Sequence, residues 1–444
     1  MPFFKFLRGP DIDQLDVSVS GELFEFLDWY GLESGASADS EERHDRSKDI
    51  HGFHISFIVE SNAQIYGKNG YISFIHMKIV VASDSFKGCL TSSQVNAAVR
   101  EGVLSAVPDA EVICLDISDG GEGFLDSVPG LERRTVTVHD PLMREITASY
   151  GISSHAVGTA WAESAQAVGL GLLKESERDP MNATSYGLGE LILAAAREGC
   201  RSFVIGLGGT CTSDAGTGML QALGWRFFRE DGSQIRRCCG RTLRGISTWS
   251  AEDVPSYVLE SRFVIASDVT SPLYGPEGAA LMFSPQKGAS RCEAHMLDEG
   301  MRRFAAKVQD RDGISMQFPG AGAAGGLGAA FVAFLGGEIR NGIDIVLDVH
   351  DFEKVIEGAD LIVTGEGRID VQTFKGKVPA GVLSRAHDTP VVAVCGCVTE
   401  EALARNPFKR ILPVSPAGEP IEKSMDPELT SRRIASCIKE LIGK

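Results

Sequence analysis

The stretch MKIVVASDSFKGCL, Met77 to Leu90, decides how the chain is read. Met77 to Ala82 has the apolar run of a short strand buried on both faces. Asp84, Ser85, Lys87 and Gly88 follow at once. A plain turn needs only the glycine and the acid. Thr91-Ser92-Ser93-Gln94 then fits a capping box, and Val95, Ala98, Val99 and Val103 recur at helical spacing. Lys87 thus stands between a strand end and a helix N-terminus, where anions bind. An ordinary βα turn with a solvated lysine accounts for the same residues equally well.

From Met77 onward strands and helices alternate. Strands are expected over 111–117, 202–207, 263–266, 360–364, 390–394 and 410–414, and helices over 184–199 and 421–441. That rhythm predicts an α/β fold with a largely parallel sheet covered on both faces. Three strands without helices, 134–138, 146–152 and 158–163, break it and predict a second, smaller inserted domain. Residues 1–76 differ in kind, with 13 acids against six bases and a charge run at 41–46. Strands over 53–59 and 71–75 are expected there without a recognisable site. This segment reads as an N-terminal extension, either an accessory or flexible piece or an overlong reading of the gene, with the functional protein starting at Met77.

The 444 residues carry 43% hydrophobic and 23% charged side chains, ordinary globular composition at a length of two or three domains. The net charge of -17 disfavours duplex DNA and anionic membrane surfaces as partners. The ten cysteines show no CxxC or zinc spacing and read as reduced thiols. With neither a long apolar run nor a secretory leader pattern, a cytoplasmic protein is expected, its oligomeric state open.

Five expected strands end in an acid beside glycine or a small residue: Asp84, Asp119, Asp214, Asp268 and Glu366. In open α/β sheets ligands bind at the carboxyl ends of strands, so the set predicts a polar cleft. GLGGTCTSDAGTGML, 206–220, offers Gly208 and Gly209 as backbone donors for a phosphate or carboxylate, but lacks the Gly-Lys-Ser/Thr of a Walker loop. GAGAAGGLGAA, 320–330, holds a GxGxxG at Gly320, Gly322 and Gly325. Pro319 precedes it, which disfavours the strand a dinucleotide fingerprint needs; tight helix packing or phosphate approach is the alternative. Lys87, Lys287, Lys375 and Lys377 lie beside these loops. Acids, lysines and glycine loops together fit phosphoryl transfer. The five histidines after residue 76 show no metal or triad spacing, and no GxSxG elbow is present.

The motifs DSFKG, DGGEG, SYGLGELI, GLGGTCTSDAGTGMLQALG, GPEGAALMFSPQKGA, GAGAAGGLGAA, GIDIVLD and DLIVTGEGRIDVQTFKGKVPAGV occur in one order. From Met77 to the C-terminus the chain resembles the bacterial glycerate kinases that phosphorylate the 2-hydroxyl. The resemblance implies ATP- and Mg²⁺-dependent conversion of D-glycerate to 2-phosphoglycerate. It also implies a discontinuous Rossmann-like domain, 77–140 and 285–444, with an inserted α/β domain, 141–284, and a cleft between them. Asp84, Lys87, Asp119, Glu122, Asp214, Asp268, Glu366, Arg368, Asp370 and Lys377 match the family pattern. Ser83, Ser213, Ala215, Thr270-Ser271, 164–168 and 237–239 depart from it.

On this resemblance Lys87 and Arg368 are candidate anion contacts, Asp268 or Asp214 the base, and Glu366 or Asp370 the Mg²⁺ ligand. Asp84, Ser85, Asp119, Glu122, Gly208, Gly209, Lys287, Gly322 and Lys377 complete the candidate binding set. Two rivals stand beside the kinase: an NAD-dependent oxidoreductase using the Gly320 loop, and a non-catalytic metabolite-binding relative.

Overall fold

Five of the six residues of β1 (Lys78–Ser83) are buried, because the strand lies inside a parallel sheet with both faces covered. The structure, a computed structural model, describes residues 77–443; the expectations for 1–76 lie outside the described residues. On one side β1 pairs with β2 (Glu111–Asp116), and on the other with β11 (Leu361–Ile369). Beyond β11 come β12 (Val391–Val398) and β13 (Arg410–Pro413), all parallel. The order β2-β1-β11-β12-β13 reverses direction at β1, and the β1/β11 crevice is the topological switch point where such sheets take ligands.

The helices Ser92–Ala106 and Pro427–Ile442 cover one face of this sheet, with Val95, Val99, Ile434 and Ile438 against Ile79 and Val363. The expected Thr91–Gln94 capping box is present on both hydrogen bonds. The single helix expected over 421–441 is two helices, Ile421–Ser424 and Pro427–Ile442. Asp426 caps the second, and Pro427 occupies a first-turn position where its missing N–H costs nothing.

The second sheet has six strands in the order β10-β9-β6-β5-β4-β3. They are β3 (Leu131–His139), β4 (Glu145–Ser153), β5 (Thr159–Glu163), β6 (Ser202–Gly206), β9 (Arg262–Ala266) and β10 (Glu338–Arg340). β7 (Arg226–Phe228) and β8 (Thr248–Ser250) pair separately. The three helix-free strands are antiparallel neighbours, and β5, β6, β9 and β10 run parallel. β3 and β10 lie in this sheet although both fall wholly outside the expected 141–284 segment, so its strands run from Leu131 to Arg340.

One apolar cluster joins residues of both sheets: Val80, Ala82 and Ile362 pack with Trp161, Val204 and Ala266 around Ile343 and Val346. The joint is closed by backbone on backbone. A Cβ on Gly206 would lie 2.6 Å from Gly120 O, and one on Gly208 2.6 Å from Gly121 Cα. A Cβ on Gly342, which opens the helix Gly342–Val349, would stand 2.0 Å from Asp119 O. Gly342→Ala is therefore expected to destabilise the protein by about 2–3 kcal/mol in urea unfolding, as overpacking does. An unobstructed glycine in a helix would instead gain up to about 1 kcal/mol from the same change.

Candidate active site

Asp84 leaves β1 at the switch point, buried, with its amide on Gly365 O (2.8 Å) and its Oδ1 accepting from Ser85 N (2.7 Å). The turn that follows closes by Phe86–Leu90 hydrogen bonds and points Lys87 across to the β2 loop. There Lys87 Nζ meets Asp119 Oδ2 at 3.3 Å, while Asp119 Oδ1 accepts from Gly121 N. Asp119 is buried and Lys87 is 62% exposed, so the ammonium reaches out from the crevice wall.

Glu366 enters from β11, which runs on through Ile369; the strand does not stop at Thr364 as the sequence pattern suggests. Glu366 Oε2 lies 3.6 Å from Lys377 Nζ, and Lys377 stands at the N-cap of the helix Val378–Ser384. Asp268 follows β9 and is half-buried. Four carboxylates (Asp84, Asp119, Asp268 and Glu366) thus act electrostatically on one another and on two lysines, Lys87 and Lys377.

The acids outnumber the cations, and their protonation reflects it. Burial, then Asp119, pushes Asp84 up to about 7. Burial and Asp119 likewise raise Asp268. Burial raises Glu366 against the Thr373 hydroxyl and Lys377. The opposing carboxylates, Asp119 foremost, hold the Lys87 ammonium above its ordinary range. Glu366 Oε1 is one of several buried polar atoms without a close hydrogen-bond partner among the described residues, the Thr373 hydroxyl acting on that carboxyl.

Other expected residues line or flank the crevice. Asp370 is half-buried, accepts from Gln372 N, and acts on Glu366. Arg368 is exposed two positions beyond Glu366 on the same face of β11. Ser85 is half-buried and Glu122 exposed. Gly208 abuts Gly121, so the 206–209 loop forms the rim, with Gly209 exposed at a left-handed φ of 62°.

Three expected residues lie elsewhere. Asp214 is fully buried and accepts from Ser185 N and Oγ (both 2.8 Å), Gly216 N and Gly218 N. Burial raises it against these bonds; its carboxylate is committed to holding the loop on the helix Thr217–Ala222. Lys287 is also buried, its Nζ donating to Thr212 O (2.7 Å) and Thr210 Oγ1 (3.4 Å). It braces the underside of the same loop. The Gly322 N–H is taken by Ser271 O at 3.0 Å, and a Cβ there would stand 2.4 Å from Pro272 O. The Gly320 loop leads into the segment Ala323–Leu335 through left-handed backbone at Ala324, Gly325 and Gly326, with no strand just before it, and Gly325 packs on Thr212 O. The glycines serve backbone packing, and the dinucleotide reading falls.

Asn341 was not among the expected residues. An asparagine before a helix reads as an N-cap, yet its side chain makes no cap and instead crosses to Gly376 O beside Lys377.

A switch-point crevice that sets acids against lysines under a glycine rim suits phosphoryl transfer to a small molecule. The family model for the glycerate kinase family matches residues 79–442, and the chain belongs to that family, as a phosphotransferase. It is 43% identical over 329 residues to the glycerate kinase of Bacillus cereus, covering 73% of this chain and 86% of that one. To the glycerate 2-kinase of Escherichia coli it is 39% identical over 332 residues, covering 73% and 86%. A solved structure from Salmonella typhimurium LT2, provisionally described as glycerate kinase 2, superposes with a TM-score of 0.71 at 35% identity, covering 83% of this chain and 97% of that one.

Burial brings Lys287 down to about 8 from 10.5. Below pH 8 both folded and unfolded states carry its charge, and the buried ammonium costs stability. Between about pH 8 and 10.5 the folded state releases the proton first, so stability rises with pH, by up to about 3 kcal/mol. Urea unfolding at pH 7.5 and 10 is expected to show this increment in the wild type and not in Lys287→Met, other titrations being common to both.

Proposed function

We propose that the protein transfers the γ-phosphoryl group of ATP to the 2-hydroxyl of D-glycerate, giving 2-phosphoglycerate. The observation that carries this reading is the convergence of Asp84, Asp119, Asp268 and Glu366 with Lys87 and Lys377 at the β1/β11 switch point. The name of the Escherichia coli relative, a glycerate 2-kinase, supports the 2-position.

Glycerate and ATP are both anions, so their groups fit the positive side of the crevice. Lys87 holds a phosphate or the substrate carboxylate, assisted by Arg368. The residues present also fit Mg²⁺, which keeps several waters and needs only one or two protein oxygens. The Glu366 carboxyl is buried, and the carboxylates outnumber the lysines around it. Glu366, with Asp370 beside it, would hold the cation, which when bound neutralises charge on the phosphates. Of the two carboxylates considered as base, Asp268 is the one in the crevice; it takes the proton from the attacking hydroxyl, as Asp214 is occupied by Ser185 and two amides.

The departures from the family pattern do not crowd this set. Ser213 is buried beside Asp214 and Thr270 is exposed, which favours a working enzyme over a binding relative that has lost turnover. The strands from Leu131 to Arg340 would act as the inserted part, and a cytoplasmic setting, where ATP is at hand, accompanies the proposal.

Incubation with ATP, Mg²⁺ and D-glycerate, followed by phosphorus NMR, is expected to give 2-phosphoglycerate. The 3-isomer would overturn the regiochemistry, and no phosphoglycerate at all would leave a binding protein. Lys87→Ala is expected to lower kcat/KM by about 30- to 1000-fold through loss of a charge-assisted contact, with Tm unchanged. Lys87→Arg should not restore it, because a planar guanidinium does not replace a compact ammonium.

A further inference from the structure

We propose that His350 is a positioning residue for the crevice: its Nε2–H, shared between the two ends of the loop that carries Asp119, holds that carboxylate against Lys87. This rests on the phosphoryl-transfer reading above. His350 Nε2 lies 3.1 Å from Asp116 O and 2.8 Å from Ser127 O. Both partners are carbonyl oxygens, so this nitrogen carries the hydrogen and donates to both. Asp116 ends β2, and Ser127 follows the loop that opens there with Asp119, Gly120 and Gly121. The two carbonyls stand 234 and 223 positions away in the chain, out of reach of any spacing argument.

The helix Gly342–Val349 joins this contact to the site. Its first residue packs on Asp119 O, where a Cβ would stand at 2.0 Å, and His350 is its C-cap, with His350 N donating to Val346 O at 3.2 Å. Between these ends Ile343 and Val346 share one apolar cluster with Ile117, Phe124 and Leu125 of the loop. The loop has little stiffness of its own. Gly120 and Gly123 take left-handed φ values of 95° and 84°, and glycine restricts the backbone least. Other side chains hold one end each: Asn96 Nδ2 donates to Asp116 Oδ1 (3.1 Å), and Glu163 Oε1 accepts from Leu125 N (2.6 Å). His350 ties the two ends to each other. Asp119 Oδ2 stands 3.3 Å from Lys87 Nζ, at the long end of the hydrogen-bond range, so a small displacement of the loop removes this contact.

The test sets His350→Gln against His350→Asn in the full chain. The glutamine amide reaches the place of Nε2 and keeps a donor for the carbonyls, whereas the asparagine amide stops at the place of Nδ1 and leaves them unpaired. His350→Asn is expected to lower kcat/KM for glycerate by about tenfold, as misplacement of a site group does, and His350→Gln to restore it. Lys87 supplies a readout that needs no turnover. Its acetylation by acetic anhydride at about pH 9, followed by peptide mass spectrometry, should be faster in His350→Asn than in wild type or His350→Gln, because an ammonium released from Asp119 gives up its proton more readily. The exposed Lys307 is the reference and should react equally in all three. A merely structural His350 would lower Tm in the variants and leave the Lys87 to Lys307 ratio unmoved. An unchanged ratio in His350→Asn, or equal losses of kcat/KM in both variants, would overturn the proposal; should His350→Asn fail to fold, His350→Leu, which also lacks the donor, takes its place. Absence of phosphoglycerate with the wild type would sink the reading above, whereas Lys87 acetylation decides this inference with or without turnover.

Discussion

The crevice depends on backbone meeting backbone at the joint between the two sheets. The loop from Asp119 to Gly121 lies against the ends of β6 and β9 and the start of the Gly342–Val349 helix at distances that exclude any side chain. This contact sets Asp119 opposite Lys87 and brings Asp268, from the other sheet, into the same field. A single added methyl at Gly206, Gly208 or Gly342 would overlap main-chain atoms across this joint.

Two environments make opposite use of lysine. Lys87 faces carboxylates from a half-open position, and its charge is reinforced. Lys287 is enclosed by Thr212 O and the Thr210 hydroxyl, with no carboxylate in hydrogen-bond reach among the described residues, and its charge is opposed. The same residue type beside the same kind of loop therefore serves an anion in one place and braces main chain in the other.

Much of this was legible in the sequence. Apolar runs mark β1, β6 and β9 because those strands are buried on both faces, and the Thr91–Gln94 pair marks its helix because capping is local chemistry. Asp84, Asp119, Asp268 and Glu366 could be picked out as strand-end acids. Asp214 carries the same local signature, yet its loop folds inward onto Ser185, a partner 29 residues away that spacing does not reveal. Glu366 lies inside β11 because parallel pairing with β12 continues through Gly365 to Ile369, where glycine and charge suggest a turn. Asn341 looks like a cap, and only the distant Gly376 shows that it is not one.

The order of strands also bears on how the molecule comes to exist. β1 and β11 are central neighbours, and Thr364 Oγ1 reaches Ala82 O across 282 positions of chain. A ribosome must release almost the whole protein before that bond can form. The six-stranded sheet, contiguous from Leu131 to Arg340, is complete earlier, whereas β1 and β2 emerge first with half their partners unmade. Their apolar edge waits through most of synthesis, a window in which chaperones and aggregation compete for it. The crevice is thus assembled late, though one of its walls is among the first of the described residues to be made.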